Sequence, residues 1–311
     1  MAIPTGTLTS SSTISNLVQT AYDQYVRMAL RSIPVMRALA DVKPVQQAMP
    51  GSSVVFSIYS DLSTATGTLT ETSDVSSVAL GNPSQVTVTL NEYGNAVTTT
   101  KKLNLTSFND VDAALADVIA YTAADSIDVV VANVLTSGTN VIYGGTATGT
   151  SGITASGTMT VADIREAVVQ LRTNKAVPRI GELYAAYLHP RQSADLRAEA
   201  GTGGFQELTK YVERTPFVAG AVGVIEGAFI VETPRVLSAS NGASPAVTVY
   251  KAVVAGREAL AEAQAQDIST VIGPEIDALR RFRTIGWYYF GGFNRLREAA
   301  LYRIETAASI V

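Results

Sequence analysis

The sequence predicts an α+β chain organised around one long helix, and three observations carry that expectation. Apolar residues recur at helical spacing from 108 to 137, apolar and polar residues alternate in two stretches around 54–58 and 86–90, and β character returns over 279–305. Between the long helix and the closing β segments lies a mixed run of short helices and strands, the signature of a compact α/β or α+β unit.

The helix is the clearest element. Val111, Leu115, Ile119, Ala123, Ile127, Val131 and Leu135 fall at intervals of four, and Val118, Val130 and Val134 widen the stripe. Asp112, Asp117, Asp125 and Asp128 lie largely between, as on a solvated face. Asn109 is placed to cap the start, with Asp112 as its reciprocal carboxylate, and Gly138 stands where a left-handed terminating residue is wanted. At ~1.5 Å per residue the rod is roughly 45 Å long, well beyond the ~11 residues of an average helix, so other elements must be built onto it.

Residues 1–13 are rich in Thr, Ser and Gly. Behind them Leu17, Val18, Tyr22 and Val26 form one apolar helical face, cut off by Pro34 and Pro44. This is an arm whose helix needs another surface to cover it. From 45 to 100 there is no lysine or arginine, and Asp61, Glu71, Asp74 and Glu92 are the only charges. Val54, Phe56 and Ile58, then Val86, Val88 and Leu90, alternate with polar residues, which predicts a long β-hairpin around a Thr- and Ser-rich middle. A two-stranded hairpin is marginal in water by itself, so it must lie against this chain or another. Residues 91–100 lead through Lys101 and Lys102 to the long helix.

The Gly- and Thr-rich run 144–157 is expected as a flexible connection and domain boundary. Thr160 with Asp163 writes a capping box for a helix to about 173. Residues 183–188 form a short buried strand, and Pro190 opens a helix to about 200. Strands are expected at 223–231 and 247–255, a helical turn or two at 258–266, and two long strands at 279–290 and 296–305, separated by a turn at Gly291 and Gly292. No repeat at a fixed period occurs.

Composition removes most chemistry. With 311 residues and 47% hydrophobic content the core is ample, while zero cysteines exclude disulfides, thiolate metal sites and a cysteine nucleophile. His189 is the single histidine, too little for a multi-histidine metal centre, and it reads as structural rather than as a base for nearby Ser193. Asp125 and Asp128 lie a turn apart without further oxygen ligands, and the glycines at 201, 203 and 204 lack the lysine of a phosphate loop. No catalytic, cofactor or metal residue is assigned. A net charge of −4 opposes a generally DNA-coating surface, and neither the N-terminus nor 217–225 reads as a membrane segment. Arg280, Arg281, Arg283, Arg295, Arg297 and Arg303 cluster near the end, with Glu298 and Glu305 interleaved.

An arm, an acidic hairpin, a spine helix, a Gly-rich exit, an α/β unit and two closing strands, in that order, resemble the major capsid protein of tailed double-stranded-DNA bacteriophages. Carrying segments are Leu103-Asn104-Leu105-Thr106 before the spine, Ser137-Gly138-Thr139-Asn140-Val141-Ile142-Tyr143-Gly144-Gly145 after it, Leu188-His189-Pro190, Ile285-Gly286-Trp287 and Tyr302-Arg303-Ile304-Glu305. The resemblance covers essentially the whole chain and implies the Hong Kong 97-like (HK97-like) capsid fold. By it, 1–50 is the N-arm, 51–100 the E-loop, 101–143 the part of the P-domain that includes the spine helix, 144–271 the A-domain and 272–311 the closing P-domain strands.

The implied function is structural: self-assembly into hexamers and pentamers of an icosahedral head enclosing double-stranded DNA, without sequence-specific binding, enzymatic step, cofactor or membrane. The implied place is the virion, after assembly in the host cytoplasm, with scaffolding, portal and decoration proteins as further partners. The arm starts almost at once, so scaffolding is expected from a separate protein or a removed segment. Lys-to-Asn crosslinks known in the family would find no lysine in the hairpin. Subunit-interface candidates are Leu17, Val18, Tyr22 and Val26 of the arm, Asp61, Glu71, Asp74 and Glu92 of the hairpin, and Arg280, Arg281 and Arg283. The alternatives are a tail-tube or decoration protein, against which the long helix counts, and a carbohydrate-binding or hydrolytic protein, which would need a cleft with paired acids.

Overall fold

The computed structural model describes residues 34–44, 51–59, 61–75, 77–106, 111–199, 223–243, 247–275 and 279–310. In chain order, a 3-10 turn Met36–Leu39 leads into β1 (Ala40–Pro44). The hairpin strands β2 (Ser53–Ile58) and β3 (Ser84–Thr89) follow, then β4 (Asn91–Thr100), α1 (Lys101–Thr106) and the spine α2 (Val111–Thr136). After β5 (Val141–Tyr143) come α3 (Val161–Thr173), β6 (Tyr184–Leu188) and α4 (Pro190–Ala198). Strands β7 (Val224–Ile225), β8 (Ala228–Glu232), β9 (Ser238–Ser240), β10 (Thr248–Ala255), β11 (Leu260–Ile272), β12 (Phe282–Arg295) and β13 (Leu301–Thr306) complete the chain.

Two sheets share the spine. A seven-stranded sheet runs β5-β13-β10-β6-β8-β7 with β9 paired beside β10, and a four-stranded sheet runs β1-β11-β12-β4. Helix α2 touches β12 and β4 of the second and β10 and β13 of the first. Its inner stripe of Ile119, Ala123, Ile127, Val131 and Leu135 is buried as the spacing predicts. Residues Asp117–Thr136 are long and apolar enough to cross a membrane by composition, yet here that stripe fills the chain's own core.

Both expected ends of the spine need comment. Asn109 lies outside the described residues, as do the arm residues Leu17, Val18, Tyr22 and Val26 and the glycines at 201–204. Gly138 is not in the left-handed region. A Cβ there would stand 2.8 Å from Glu298 Oε1, so the glycine serves close approach. The terminal carbonyls of Thr136 and Gly138 accept instead from the Arg303 guanidinium of β13, the latter at 3.2 Å.

Three further expectations fail for one reason: pairing partners override local propensity. Of residues 258–266, Ala- and Glu-rich, Glu258 and Ala259 form a turn and 260–266 belong to β11, because β1 pairs with it in parallel on one side and β12 antiparallel on the other. Residues 91–100 are no mere lead-in but a full strand against β12. Gly291 and Gly292 make no turn; β12 runs through them, and a Cβ at Gly292 would overlap the Thr89 carbonyl of the adjoining hairpin. The largely exposed run 144–157 is held at three points, with Ile153 fully buried and Gly144 set so close to the buried Gly157 that a Cβ would meet its carbonyl at 2.6 Å.

Other expectations hold. β2 and β3 pair antiparallel with Val54 opposite Val88 and Phe56 opposite Val86. Thr160 and Asp163 make the reciprocal capping box of α3, Pro190 occupies the first turn of α4, and β6 is buried throughout.

Candidate functional site

The four-stranded sheet positions the surfaces of interest because its longest strand, β12, has a different neighbour at each end. At its C-terminal end the hairpin is rooted: Val54, Val88 and Leu90 close a small core with Ala261 and Ala263, and Asn294 Nδ2 donates to the Thr87 carbonyl at 2.8 Å. Beyond that root, the described residues of 61–82 are all exposed, including Leu62, Leu69, Val75, Val78 and Leu80. Asp61, Glu71 and Asp74 lie on this tip and make no ion pair among the described residues; Asp74 only accepts from the Val75 amide at 2.8 Å. Glu92 is different, sitting on β4 and hydrogen-bonded to Tyr288.

At the N-terminal end of β12 the pairing of Phe282 with Thr100 and Arg283 with Thr99 brings two distant stretches together. The Lys101 amide donates to the Arg281 carbonyl at 2.8 Å, so Lys101 and Lys102 join Arg280, Arg281 and Arg283 at one exposed end. The Arg281 guanidinium also lies 5.5 Å from the Phe282 ring centre. The other three arginines of the sequence cluster are bound within the chain: Arg295 to Glu298 at 3.3 Å, Arg297 to Glu258 at 3.3 Å and Arg303 to Glu305 at 2.8 Å. One linear cluster is thus two physical ones. The lysines were invisible as members because their place depends on the strand pairing of 91–100, which carries little hydrophobic signal.

A third feature, the anchoring of the turn Met36–Leu39 on the long helix and β11, also escaped sequence reading. Asp128, expected on a solvated face, is buried on α2 and accepts from the Met36 amide at 2.6 Å and the Arg37 amide at 3.2 Å. Burial outweighs those contacts and raises its carboxyl above the usual value. Arg37 forks onto the fully buried Glu262, with Nη2 to Oε1 at 2.6 Å and Nε to Oε2 at 3.1 Å, while Tyr289 donates to Oε1 at 2.9 Å. Burial opposes the Arg37 charge, but Glu262 outweighs it and holds the guanidinium protonated; burial and then Glu262 push the Tyr289 phenol upward. Arg179 donates to the Ala38 carbonyl at 2.8 Å. Two buried acids and two arginines, Arg37 itself among them, therefore hold the backbone at Met36, Arg37, Ala38 and Ala40.

The catalytic candidates are accounted for structurally. His189 Nδ1 accepts from the Arg191 amide at 3.2 Å at the start of α4, its ring 4.5 Å from that of Tyr250; burial, then Arg191, lowers its pKa. Ser193 donates to Glu232, not to His189. Asp125 pairs with Arg235. No group of three or more potential ligands for a metal occurs among the described residues.

A family model described as phage capsid protein matches residues 9–310. Among curated proteins none matches in sequence. In structure the chain is similar to the capsid of Ralstonia phage GP4, with 17% identity over 94% of this chain and 96% of that one and a TM-score of 0.75. It is also similar to the cyanophage Pam1 capsid asymmetric unit, at 14% identity, 99% and 100% coverage and a TM-score of 0.74. The acid-stable capsid structure of Helicobacter pylori bacteriophage KHP30 gives 16%, 99%, 99% and 0.72. With the family model matched over residues 9–310, the chain belongs to the phage capsid protein family and is a structural major capsid protein of the virion shell.

Proposed function

We propose that the chain builds an icosahedral head as hexamers and pentamers around double-stranded DNA, using an HK97-like fold. In that reading residues 1–50 are the N-arm, 51–100 the E-loop and 144–271 the A-domain. The P-domain comprises 101–143 with α2 as its spine and 272–311, so the A-domain span ends within β11. The carrying observation is the hairpin: five large apolar residues and three acids stand on a tip that the described residues leave uncovered, which an assembly of copies explains. The arm residues Leu17, Val18, Tyr22 and Val26 have the same need by their sequence pattern.

Asp61, Glu71, Asp74, Arg280, Arg281 and Arg283 are proposed as subunit-interface residues. Glu92 joins them only through its position on the edge strand β4. DNA is enclosed without sequence-specific contacts, assembly takes place in the host cytoplasm, and scaffolding, portal and decoration proteins are the further partners. Electron microscopy of the purified full-length protein tests this: closed shells are expected, and tubes or monomers under all assembly conditions would overturn it.

A further inference from the structure

We propose that the hairpin is a two-position arm, hinged where Val54 opposes Val88, and that Lys43 of β1 and Asp61 at the near end of the tip form the latch that closes it on its own chain. The latch is a contact within one copy. Its consequence, that a closed hairpin withholds the tip from other copies, rests on the shell reading. Three observations carry it. First, the cover on the inward face of the hairpin runs out along its length. Val54 and Val88 are buried against Ala261 and Ala263, whereas Phe56, Ile58 and Val86 on the same face are only half-buried. Alternate residues of a strand share a face, so the hairpin lifts away from the body just beyond the Val54–Val88 pair.

Second, the space beneath the lifted half is an open cleft of about 470 Å³. Its hairpin side carries Phe56, Ile58 and Asp61, and its body side Lys43, Leu296 and Arg297. Lys43 already reaches across, its Nζ 4.9 Å from the centre of the Phe56 ring. Third, the cleft holds opposite charges that do not meet. Lys43 and Asp61 are exposed and make no ion pair among the described residues, while Arg297 is held by Glu258 at 3.3 Å. Glu258 is itself fixed, since its amide donates to Asp41 Oδ2 at 2.8 Å and Arg179 holds Asp41 at 3.4 Å. The body side is therefore the rigid one and the hairpin the part that moves. Closing the cleft buries Phe56 and Ile58 against Leu296 and brings the Asp61 carboxylate to Lys43, with Arg297 beside it. An exposed pair is weak, so the latch reopens readily.

The chain has no cysteine, so introduced cysteines take labels at chosen places only. In the unassembled full-length protein, spin labels at Ser63→Cys on the hairpin and Glu182→Cys on the body, both exposed, should give two distances by pulsed electron resonance, the shorter being the closed form. Asp61→Lys should cut the closed-to-open ratio about threefold, and Asp61→Lys with Lys43→Glu should restore it. Raising the salt to about 0.5 M should move the wild type toward the open form. A single distance that neither substitution nor salt changes, or a swap no better than the single reversal, overturns the latch and leaves the shell reading intact. In a separate variant, Lys43→Cys with Asp61→Cys should bridge on oxidation and stop shell formation until it is reduced, as read by electron microscopy and sedimentation. Failure to bridge, or normal shells from the bridged chain, overturns the proposal. A wild-type chain that forms no closed shell under any condition sinks the shell reading itself, and with it the withholding of the tip.

Discussion

The two sheets of this molecule differ in how completely they satisfy themselves. In the seven-stranded sheet β6 is buried residue by residue, α3 and α4 begin with reciprocal caps, and Gln192 of α4 reaches Thr306 Oγ1 at 2.8 Å and the Tyr250 carbonyl at 3.2 Å. Polar groups there find partners inside the chain. In the four-stranded sheet one face packs on the long helix through Ile285, Trp287 and Tyr289, but among the described residues β4 is an open edge and the attached hairpin tip has no cover. The first is a folding unit in the ordinary sense; the second is stable where it is rooted and unfinished where it projects. A chain that must both fold alone and polymerise needs this division, since the surfaces that join copies cannot be consumed in folding one.

The division can be broken or sharpened by substitution. The largest effect belongs to the element the sheets share: Ile119→Asp places a charge on the buried stripe of α2 and should cost several kcal/mol, giving insoluble or unfolded protein. A soluble variant with unchanged melting would mean the stripe is not the common core. Next comes the root formed at Met36 and Arg37. Arg37→Ala leaves Glu262 buried beside Tyr289 alone and should destabilise by ~3–5 kcal/mol in denaturant titration. Tyr289→Phe, which removes one donor and keeps the guanidinium, should cost only ~1–3 kcal/mol. Equal losses would show that charge neutralisation is not what holds the root.

The smallest effect lies in the seven-stranded sheet. Because the folded pKa of His189 is lowered below 6.5, the unfolded chain takes up its proton first, so this contribution is complete above 6.5 and is lost as pH falls through the folded value. His189→Asn keeps a capping acceptor and should remove this part of the pH dependence. The only imidazole signals in the proton NMR spectrum report the same group directly. An imidazole titrating at or above 6.5 in the folded protein contradicts the buried, Arg191-flanked setting.

Legibility followed the same division. Periodicity located α2 to within a few residues, capping chemistry located α3 and α4, and strict alternation located the paired strands of the hairpin, because each of these signals is local. What could not be read was set by contacts distant in sequence. Residues 258–266 are helical by propensity and extended by pairing on both sides, and the termination of α2 depends on an arginine 167 positions away. Asp128 looked solvated because nothing nearby in sequence announces that the Met36 and Arg37 amides would be brought to it. Of the interface candidates, the tip acids and Arg280, Arg281 and Arg283 were legible as charge runs. Lys101 and Lys102 were not, since only the register of β4 on β12 adds them.

One deletion addresses the central claim that folding and assembly use separate surfaces of the same sheet. Replacing residues 61–82 by a short Gly-Ser turn, with β2 and β3 retained, should leave the melting of the unassembled protein unchanged and abolish closed shells in electron micrographs. Shells at normal yield, or loss of the folded state in the unassembled chain, would contradict that claim.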